Sequence, residues 1–220
     1  MEKNSNSKVK NQSYSTQVYE KLKDSIVKIK FEPGETLVEE ELAKTFGTSR
    51  TPIRQAIAQL EIEGFIINIP YKGKQVAPIT LETFHLKVAL ESYALEIIID
   101  DLDLEDFEYL EDILNKSIEA SNKKEYKSWA KLNDQFHRYF IKKTGLPLFI
   151  DTLDNLTYHM ERIRYKFIKE FFDELSLMDE YHFKILDAIK EKDLIKAQSL
   201  LIEHTRIFLS ELKKQNSSQE

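Results

Sequence analysis

Two arginines four residues apart, Arg50 and Arg54, are the side chains of this sequence best suited to bind a polyanion. A guanidinium is a planar fork of donors that matches two acceptors on guanine or two oxygens of a phosphate. Thr51 and Gln55 lie in the same stretch and Ser49 precedes it, so the segment is rich in hydrogen-bonding groups. Such residues at the start of a helix are typical of a segment that reads DNA.

A second basic position follows at the tip of a predicted β-hairpin. Lys72 and Lys74 flank Gly73 there, where a wing would lie along the DNA backbone or in the minor groove. By themselves, two arginines and two lysines are equally consistent with a solvated surface.

Three histidines lie on apolar helical faces and suggest a different chemistry. His137, His182 and His204 are candidate ligands for a divalent transition metal if they converge, because neutral imidazole suits such ions. Asn133, four residues before His137, would add an oxygen ligand on the same face. The spacing is not a motif in itself, and three unrelated core histidines, each hydrogen-bonded, would give the same pattern.

The composition excludes several classes of protein. Hydrophobic residues make up 41% and charged residues 32% of the 220 residues, too apolar for a disordered chain and too charged for a membrane protein. Cysteine is absent, so any metal must be bound by histidine and oxygen. No apolar run approaches the ~20 residues that span a bilayer, so we expect no membrane partner and a cytoplasmic protein. The sequence also has no HExxH motif, nucleophile elbow or glycine-rich phosphate loop, and we expect no enzyme.

The net charge of −6 hides an asymmetry along the chain. Residues 1–78 carry 12 Lys and Arg against 10 Asp and Glu, whereas the remaining residues carry 20 against 28. A mildly basic part followed by an acidic part indicates two domains, of which only the first is expected to meet an anionic polymer.

The elements that must position the arginines form a predicted winged helix-turn-helix domain over residues 16–79, after a flexible arm over residues 1–15. Apolar spacing predicts a first helix from Gln17, through Ile29, and a second from about Val38 to Phe46. A third helix is capped by Ser49 and ended by Gly64, and a hairpin with its tip at residues 70–73 follows it.

The elements that must position the histidines are helices. They are predicted near residues 81–98, 104–122, 125–144, 147–169, 171–191 and 193–214. Six such helices form an antiparallel bundle over residues 80–214, with a tail at 215–220. The predicted fold class is therefore mainly α, with one small β-hairpin.

The amino-acid sequence of the first part resembles that of a known family. ELAKTFGTSRTPIRQAIAQLEIEG, residues 41–64, is similar to the DNA-binding domain of GntR-family transcription regulators, as are Leu37 before it and Lys72-Gly73 with Val76 after it. The resemblance implies that Ser49, Arg50, Thr51 and Arg54 contact operator DNA, with Gly73 at the wing tip. Glu40 stands where some relatives of the FadR type carry a DNA-contacting arginine, so that contact is not expected here.

The second part resembles the FCD effector-binding domain of the FadR subfamily over about residues 83–212. The matching segments surround the three histidines, and Lys87-Val-Ala-Leu-Glu91 matches the opening helix. In metal-binding members an aspartate four residues before the first histidine completes the site. Here Asn133 holds that position and Asp134 follows it, so which of the two contributes stays open, as does the choice among zinc, nickel and manganese.

The same resemblance implies an effector, commonly a small carboxylate, bound beside the metal. Lys87 stands where relatives often have arginine, and Arg162 or Arg164 would add positive charge from a neighbouring helix. Ordinary salt bridges are an equally good explanation for these two arginines.

Together these features predict a homodimeric, effector-responsive regulator that binds double-stranded operator DNA, with repression relieved by effector. The alternative is a DNA-binding regulator whose C-terminal bundle only dimerises and binds neither metal nor effector.

Overall fold

A computed structural model of the protein describes residues 14–167 and 175–216. The chain divides between Ile79 and Thr80 into two units. The described part contains nine helices and one two-stranded sheet, so the predicted mainly α fold with a small hairpin is confirmed. None of the described helices is both long and apolar enough to cross a membrane.

The first unit consists of three helices followed by the hairpin. These elements are α1 (Tyr14–Val27), α2 (Glu39–Thr45), α3 (Arg50–Ile62), β1 (Ile66–Ile69) and β2 (Gly73–Val76). Apolar residues at helical spacing on α1 and α3 pack together with Phe65, Ile66 and Val76 into one core. Gly47, with a φ of 63°, turns the chain between α2 and α3 in the left-handed conformation that glycine tolerates best.

The hairpin that forms the wing is antiparallel and short. Ile66 pairs with Val76 and Ile69 with Gly73. Tyr71 and Gly73 adopt positive φ values of 65° and 81° at the turn.

The predicted limits of α1 were wrong at both ends. α1 already includes Tyr14, three residues before Gln17, and the Tyr14 hydroxyl donates to the carbonyl of Gly47 at 3.2 Å. The expected arm therefore cannot extend to Ser15, and its residues 1–13 lie outside the described part. The helix ends at Val27, and Ile29 lies beyond it with a φ of 54°.

The second unit is a bundle of helices around one apolar core. In the described residues these are α4 (Glu82–Ile98), α5 (Leu104–Asn122), α6 (Tyr126–Lys143), α7 (Pro147–Phe167), α8 (Leu175–Lys190) and α9 (Leu194–Asn216). The predicted end of one helix at 168–169 and the predicted start of the next at 171–174 lie outside the described residues. α9 includes residues 215 and 216, which were expected in the tail, and residues 217–220 are not described.

A polar contact fixes α6, the helix that carries His137, against α5. Asp106 forms a capping box with Asp103 at the start of α5. Its carboxylate also accepts hydrogen bonds from Lys143 at 2.6 Å and from the hydroxyl of Tyr139. Burial raises the pKa of Asp106, but these donors outweigh burial and hold it below its ordinary value. The carboxylate therefore links the two helices in its ionised form.

Candidate DNA-reading face and histidine cluster

The exposed face of α3 carries the residues predicted to read DNA. The opposite face is buried in the core through Ile53, Ala56, Ile57 and Leu60. All five predicted residues are exposed, namely Ser49, Arg50, Thr51, Arg54 and Gln55. Since Arg50 and Arg54 are one helical turn apart, their guanidinium groups lie side by side on this surface.

Ser49 occupies the N-cap position of α3, as predicted, but its side chain makes no capping hydrogen bond. Its backbone is extended, with φ −85° and ψ 168°. The N–H groups of the first turn are thus not satisfied by this hydroxyl, and a helix N-terminus of that kind attracts anions such as phosphate.

Glu39, at the start of α2, binds both candidate reading arginines. Its Oε2 accepts from Nε of Arg54 at 2.7 Å and from Nη2 of Arg50 at 3.1 Å. The hydrogen bond from Arg54, aided by Arg50, lowers the pKa of Glu39. The sequence analysis missed this residue, because positions 11 and 15 residues apart on different helices give no periodic signal.

The two wing lysines differ in their surroundings. Lys74 lies within β2, and its Nζ is 2.5 Å from Oε2 of Glu61 on α3. Lys72 and Gly73 are exposed at the turn, and Lys72 forms no ion pair with any described residue. Of the two lysines, only Lys72 therefore presents an uncompensated charge.

In the second unit, the three predicted histidines converge. His137 on α6, His182 on α8 and His204 on α9 are buried, and one nitrogen of each ring lies within 4.8 Å of the others. Nε2 of His137 is 3.1 Å from Nε2 of His182. Two imidazole nitrogens at this distance need a proton or a cation between them, because two lone pairs repel.

The cluster is electrically neutral at neutral pH. Burial lowers the pKa of His137, and it lowers those of His182 and His204 further below their ordinary value of 6.5. Nδ1 of His182 and Nε2 of His204 are buried and have no hydrogen-bond partner. Neutral imidazoles with unused nitrogens are the form of histidine that binds metal ions.

A buried ion pair on α4 adjoins the cluster. Lys87 and Glu91 are 7% and 1% exposed, and Nζ of Lys87 is 2.7 Å from Oε1 of Glu91. Oε2 of Glu91 is 3.2 Å from Nδ1 of His137, although neither contact has good hydrogen-bond alignment. Burial raises the pKa of Glu91, but the neighbouring charges lower it below its ordinary value. These neighbours are His137 and Lys87, and the ammonium of Lys87 is the nearer of the two to a carboxylate oxygen.

The two residues of α6 that were expected to offer an oxygen ligand have different surroundings. The carboxylate of Asp134 accepts from both terminal nitrogens of Arg164, at 2.9 and 2.8 Å. Asn133, in contrast, lines the same cavity as His137 and His204. Asn133 is thus at the cavity, whereas the carboxylate of Asp134 is engaged by Arg164.

That cavity is small, with a volume of about 40 Å³. It is lined by residues from α4, α6, α7, α8 and α9: Phe84, Lys87, Tyr126, Trp129, Asn133, His137, Met160, Arg164, Met178, His204, Thr205 and Phe208. Since one water needs roughly 10–15 Å³ on this measure, the space holds a few water molecules or a small polar group.

The three predicted effector-binding residues are not equivalent. Lys87 and Arg164 both line the cavity, although Arg164 is engaged by Asp134. Arg162, at 1% exposure, is not among the residues that line the cavity, and its role at an effector site stays a prediction. Arg162 and Arg164 are two residues apart on α7, so their side chains leave the helix in directions about 200° apart. Burial lowers the pKa of Arg162 to about 10.

Glu91 lies against the histidine cluster, and the sequence analysis assigned it no role. Its signal was available, since it lies four residues after Lys87 on the buried face of α4. Only the fold could place it against His137, which is on α6.

Comparisons with known proteins identify the family to which both units belong. The family described as bacterial regulatory proteins, gntR family, matches residues 14–76, and the FCD domain matches residues 82–206. The uncharacterized HTH-type transcriptional regulator YdhC of Bacillus subtilis is 32% identical, over 92% of this chain and 82% of its own length. The HTH-type transcriptional repressor RspR of Escherichia coli is 26% identical, over 88% of this chain and 86% of its own.

A solved structure agrees in fold. E. coli McbR/YncC superposes with a TM-score of 0.71 at 22% identity, covering 93% of this chain and 99% of that chain. The helix-turn-helix unit and the helical bundle thus occur together in relatives that share the whole length of this chain, and the protein belongs to the GntR family of bacterial transcriptional regulators, with an FCD domain as its second unit.

Proposed function

We propose that the chain is an effector-responsive repressor that binds operator DNA through α3 and the wing and binds a divalent cation through His137, His182 and His204. The observation that carries the proposal is the convergence of these three buried, neutral imidazoles beside the ammonium of Lys87. The relative RspR is named a transcriptional repressor, which supports repression rather than activation as the proposed role.

The donor set fits a metal ion. Imidazole nitrogens about 2.0–2.1 Å from zinc are roughly 2.8–3.4 Å from one another, between the octahedral and tetrahedral limits, and Nε2 of His137 and Nε2 of His182 are 3.1 Å apart. A cation would also satisfy the unpartnered Nε2 of His204. Glu91 lies at the other ring nitrogen of His137, in the position of a carboxylate that orients a ligating histidine.

A small carboxylate is the effector class that suits this site. A bound divalent cation would supply positive charge on the histidine side, and Lys87 supplies it from α4. Met160 and Met178 form part of the apolar wall, and their flexible side chains can rearrange around different ligands.

The small volume of the cavity suggests how binding is transmitted. Pockets for drug-sized ligands measure roughly 300–1,000 Å³, far more than the about 40 Å³ present. An effector larger than a few atoms must therefore displace side chains or helices that surround the cavity. We propose that this displacement favours the DNA-incompetent state, since an effector shifts an equilibrium only if it binds one state better.

A homodimer is the proposed assembly, and one face of α4 supports it. Leu86, Tyr93 and Ile97 are exposed at helical spacing along one side of this helix. A symmetric dimer would bring two recognition helices to half-sites about one DNA turn apart. Tyr93→Glu should then shift the protein from dimer to monomer in sedimentation, whereas a Tyr71→Glu control at the wing should not.

Metal binding by the purified protein tests the central proposal. After treatment with EDTA, the chain is titrated with Zn²⁺, Ni²⁺ and Mn²⁺ by calorimetry, and its melting temperature is recorded with each ion. We expect binding of one ion per chain and its loss in an H182A/H204A variant. A single His182→Gln variant, of nearly the same volume, serves if the double variant does not fold.

The matched control is His85→Ala, which removes an exposed histidine of the same domain and should leave metal binding unchanged. A panel of small carboxylates added to the metal-loaded protein should then raise its melting temperature further and release it from an operator selected out of random duplexes. If no ion binds and no ion or carboxylate changes the melting temperature, the bundle serves dimerisation alone.

A further inference from the structure

We propose that Glu39 is a positioning residue for DNA recognition, which holds Arg54 and Arg50 in the orientation that reads bases and thereby sets the sequence specificity of the repressor. The inference rests on the proposed DNA-reading function of α3. It adds a residue from a different helix that does not itself contact a base.

One carboxylate oxygen joins the two arginines. Oε2 of Glu39 accepts from Nε of Arg54 at 2.7 Å and from Nη2 of Arg50 at 3.1 Å. Glu39 is the first residue of α2, and the two arginines lie in the first two turns of α3. The contact therefore ties the reading side chains to the scaffold helix as well as to each other.

The choice of donor on Arg54 leaves the base-reading edge available. A guanidinium has one edge with Nε and one terminal edge with both Nη atoms, and the terminal pair can form a bidentate fork on guanine. Glu39 occupies Nε, and no described residue is bonded to either Nη of Arg54. The arginine is therefore held from behind with its fork exposed.

The side chain that is held in this way is otherwise free to move. Arg54 and Arg50 are 61% and 57% exposed, and a long exposed side chain loses rotamer entropy when it binds. A preformed hydrogen bond to Glu39 orders these side chains in part before DNA binds. Less entropy is then lost on binding, and one orientation of the guanidinium group is favoured.

The charge of Glu39 acts in the same direction. An arginine paired with a carboxylate attracts phosphates less strongly, so binding to DNA of any sequence is weakened. An operator that offers a bidentate base contact to the arginine keeps that additional binding free energy. The ratio of the affinity for the operator to the affinity for other DNA, which is the specificity, therefore rises.

Base-preference profiles test the proposal. The full-length wild-type protein and its variants are each used to select sites from a random duplex pool. Arg54→Ala marks the operator positions that this arginine reads. Glu39→Ala is expected to lose preference at the same positions, with about a tenfold fall in discrimination between the selected operator and a duplex altered there. Glu39→Gln should keep part of the preference, because its amide oxygen can still accept from Nε.

Glu40→Ala is the matched control. It removes the same charge from the same turn of α2, but Glu40 is paired with Lys44 rather than with the arginines. It should raise the affinity for non-operator DNA without changing the base preference. Thermal unfolding verifies that Glu39→Ala and Glu40→Ala are equally stable.

The outcomes separate the inference from the function on which it rests. If Arg54→Ala alters the profile and Glu39→Ala does not, Glu39 positions nothing. Equal changes in Glu39→Ala and Glu40→Ala would mean that charge alone matters, and would also overturn the inference. If the wild type selects no consensus, or Arg54→Ala keeps the wild-type profile, the proposed reading face itself is wrong.

Discussion

The buried pair of Lys87 and Glu91 should make an unusually large contribution to the stability of the FCD domain. Both side chains are almost wholly excluded from water, and the nitrogen and oxygen are 2.7 Å apart. Lys87→Met keeps the apolar stem of the side chain and removes its charge. Glu91 then depends for a positive charge on His137, whose Nδ1 is 3.2 Å away, and burial opposes protonation of that imidazole.

The expected loss can be estimated in two ways. Breaking a buried ion pair by removing one partner costs about 3–5 kcal/mol. Alternatively, Glu91 takes up a proton. Protonating a carboxyl group of ordinary pKa 4.5 at pH 7 costs about 3.4 kcal/mol, since one pKa unit corresponds to about 1.36 kcal/mol. Both estimates predict that Lys87→Met lowers the free energy of unfolding by about 3–4 kcal/mol at pH 7.

Trp129 makes this domain directly observable. It is the only tryptophan in the sequence, it is buried in the second unit, and its Nε1 donates to Asp179 at 2.9 Å. Urea titration of the EDTA-treated protein, followed by tryptophan fluorescence, therefore reports on the FCD domain within the full chain. The destabilisation should shrink as the pH is lowered towards 5, because protonation of Glu91 then costs less.

Two further variants make the prediction refutable. Lys87→Met/Glu91→Met removes both charges and should recover stability to within about 1 kcal/mol of the wild type. Lys116 forms an ion pair of the same spacing with Asp112, and these two side chains are 60% and 55% exposed. Lys116→Met breaks this pair and should change the free energy of unfolding by less than about 0.5 kcal/mol. If the single and double variants are equally destabilised, the loss reflects packing and the reasoning about charge is wrong.

Three other predictions concern the reading face, the histidines and a helix end. Arg54→Ala should weaken operator binding by about 1–3 kcal/mol, as measured by fluorescence anisotropy, and an unchanged affinity would contradict the groove assignment. For the metal-free protein, stability should fall as the pH drops below about 6.5, because the unfolded chain then binds protons that the buried His137, His182 and His204 do not. Each histidine contributes up to about 1.36 kcal/mol per pH unit, and urea midpoints that stay constant from pH 7.5 to 5.5 would be inconsistent with neutral burial. Lys124→Gly should stabilise the end of α5 by up to about 1 kcal/mol, because Lys124 has a φ of 58°, which glycine adopts more easily; a lower melting temperature would refute this.

The fold was predictable because its signals are local. The apolar stripe of α3, the glycine after α2 and the hairpin turn each lie within a few residues of the structure they specify. Residues 14–16 of α1 were missed because they precede the apolar stripe, which begins at Val18. Contacts between residues distant in the chain, such as that from Tyr14 to Gly47, leave no periodic trace in the sequence.

The candidate sites were predictable only in part, for the same reason. Each histidine could be placed on the inner face of its helix, and the convergence of the three followed from the family resemblance. The partners that tune them, Glu91 at His137 and Glu39 at Arg54, come from other helices. Nor could the sequence show that Arg164 of α7 engages Asp134, whereas Asn133 lines the cavity.

The engagement of Asp134 by Arg164 has a consequence for how the proposed metal and effector depend on each other. In the described cluster the charges of Lys87 and Glu91 cancel, the three imidazoles are neutral, and Asn133 brings no charge. A divalent cation would therefore enter with two positive charges that no ligand from α6 offsets, and uncompensated charge is costly in a protein interior. A carboxylate supplies the balance, so cation and anion are expected to bind cooperatively. Thermodynamic linkage makes this effect reciprocal: the factor by which the carboxylate tightens metal binding equals the factor by which the metal tightens carboxylate binding.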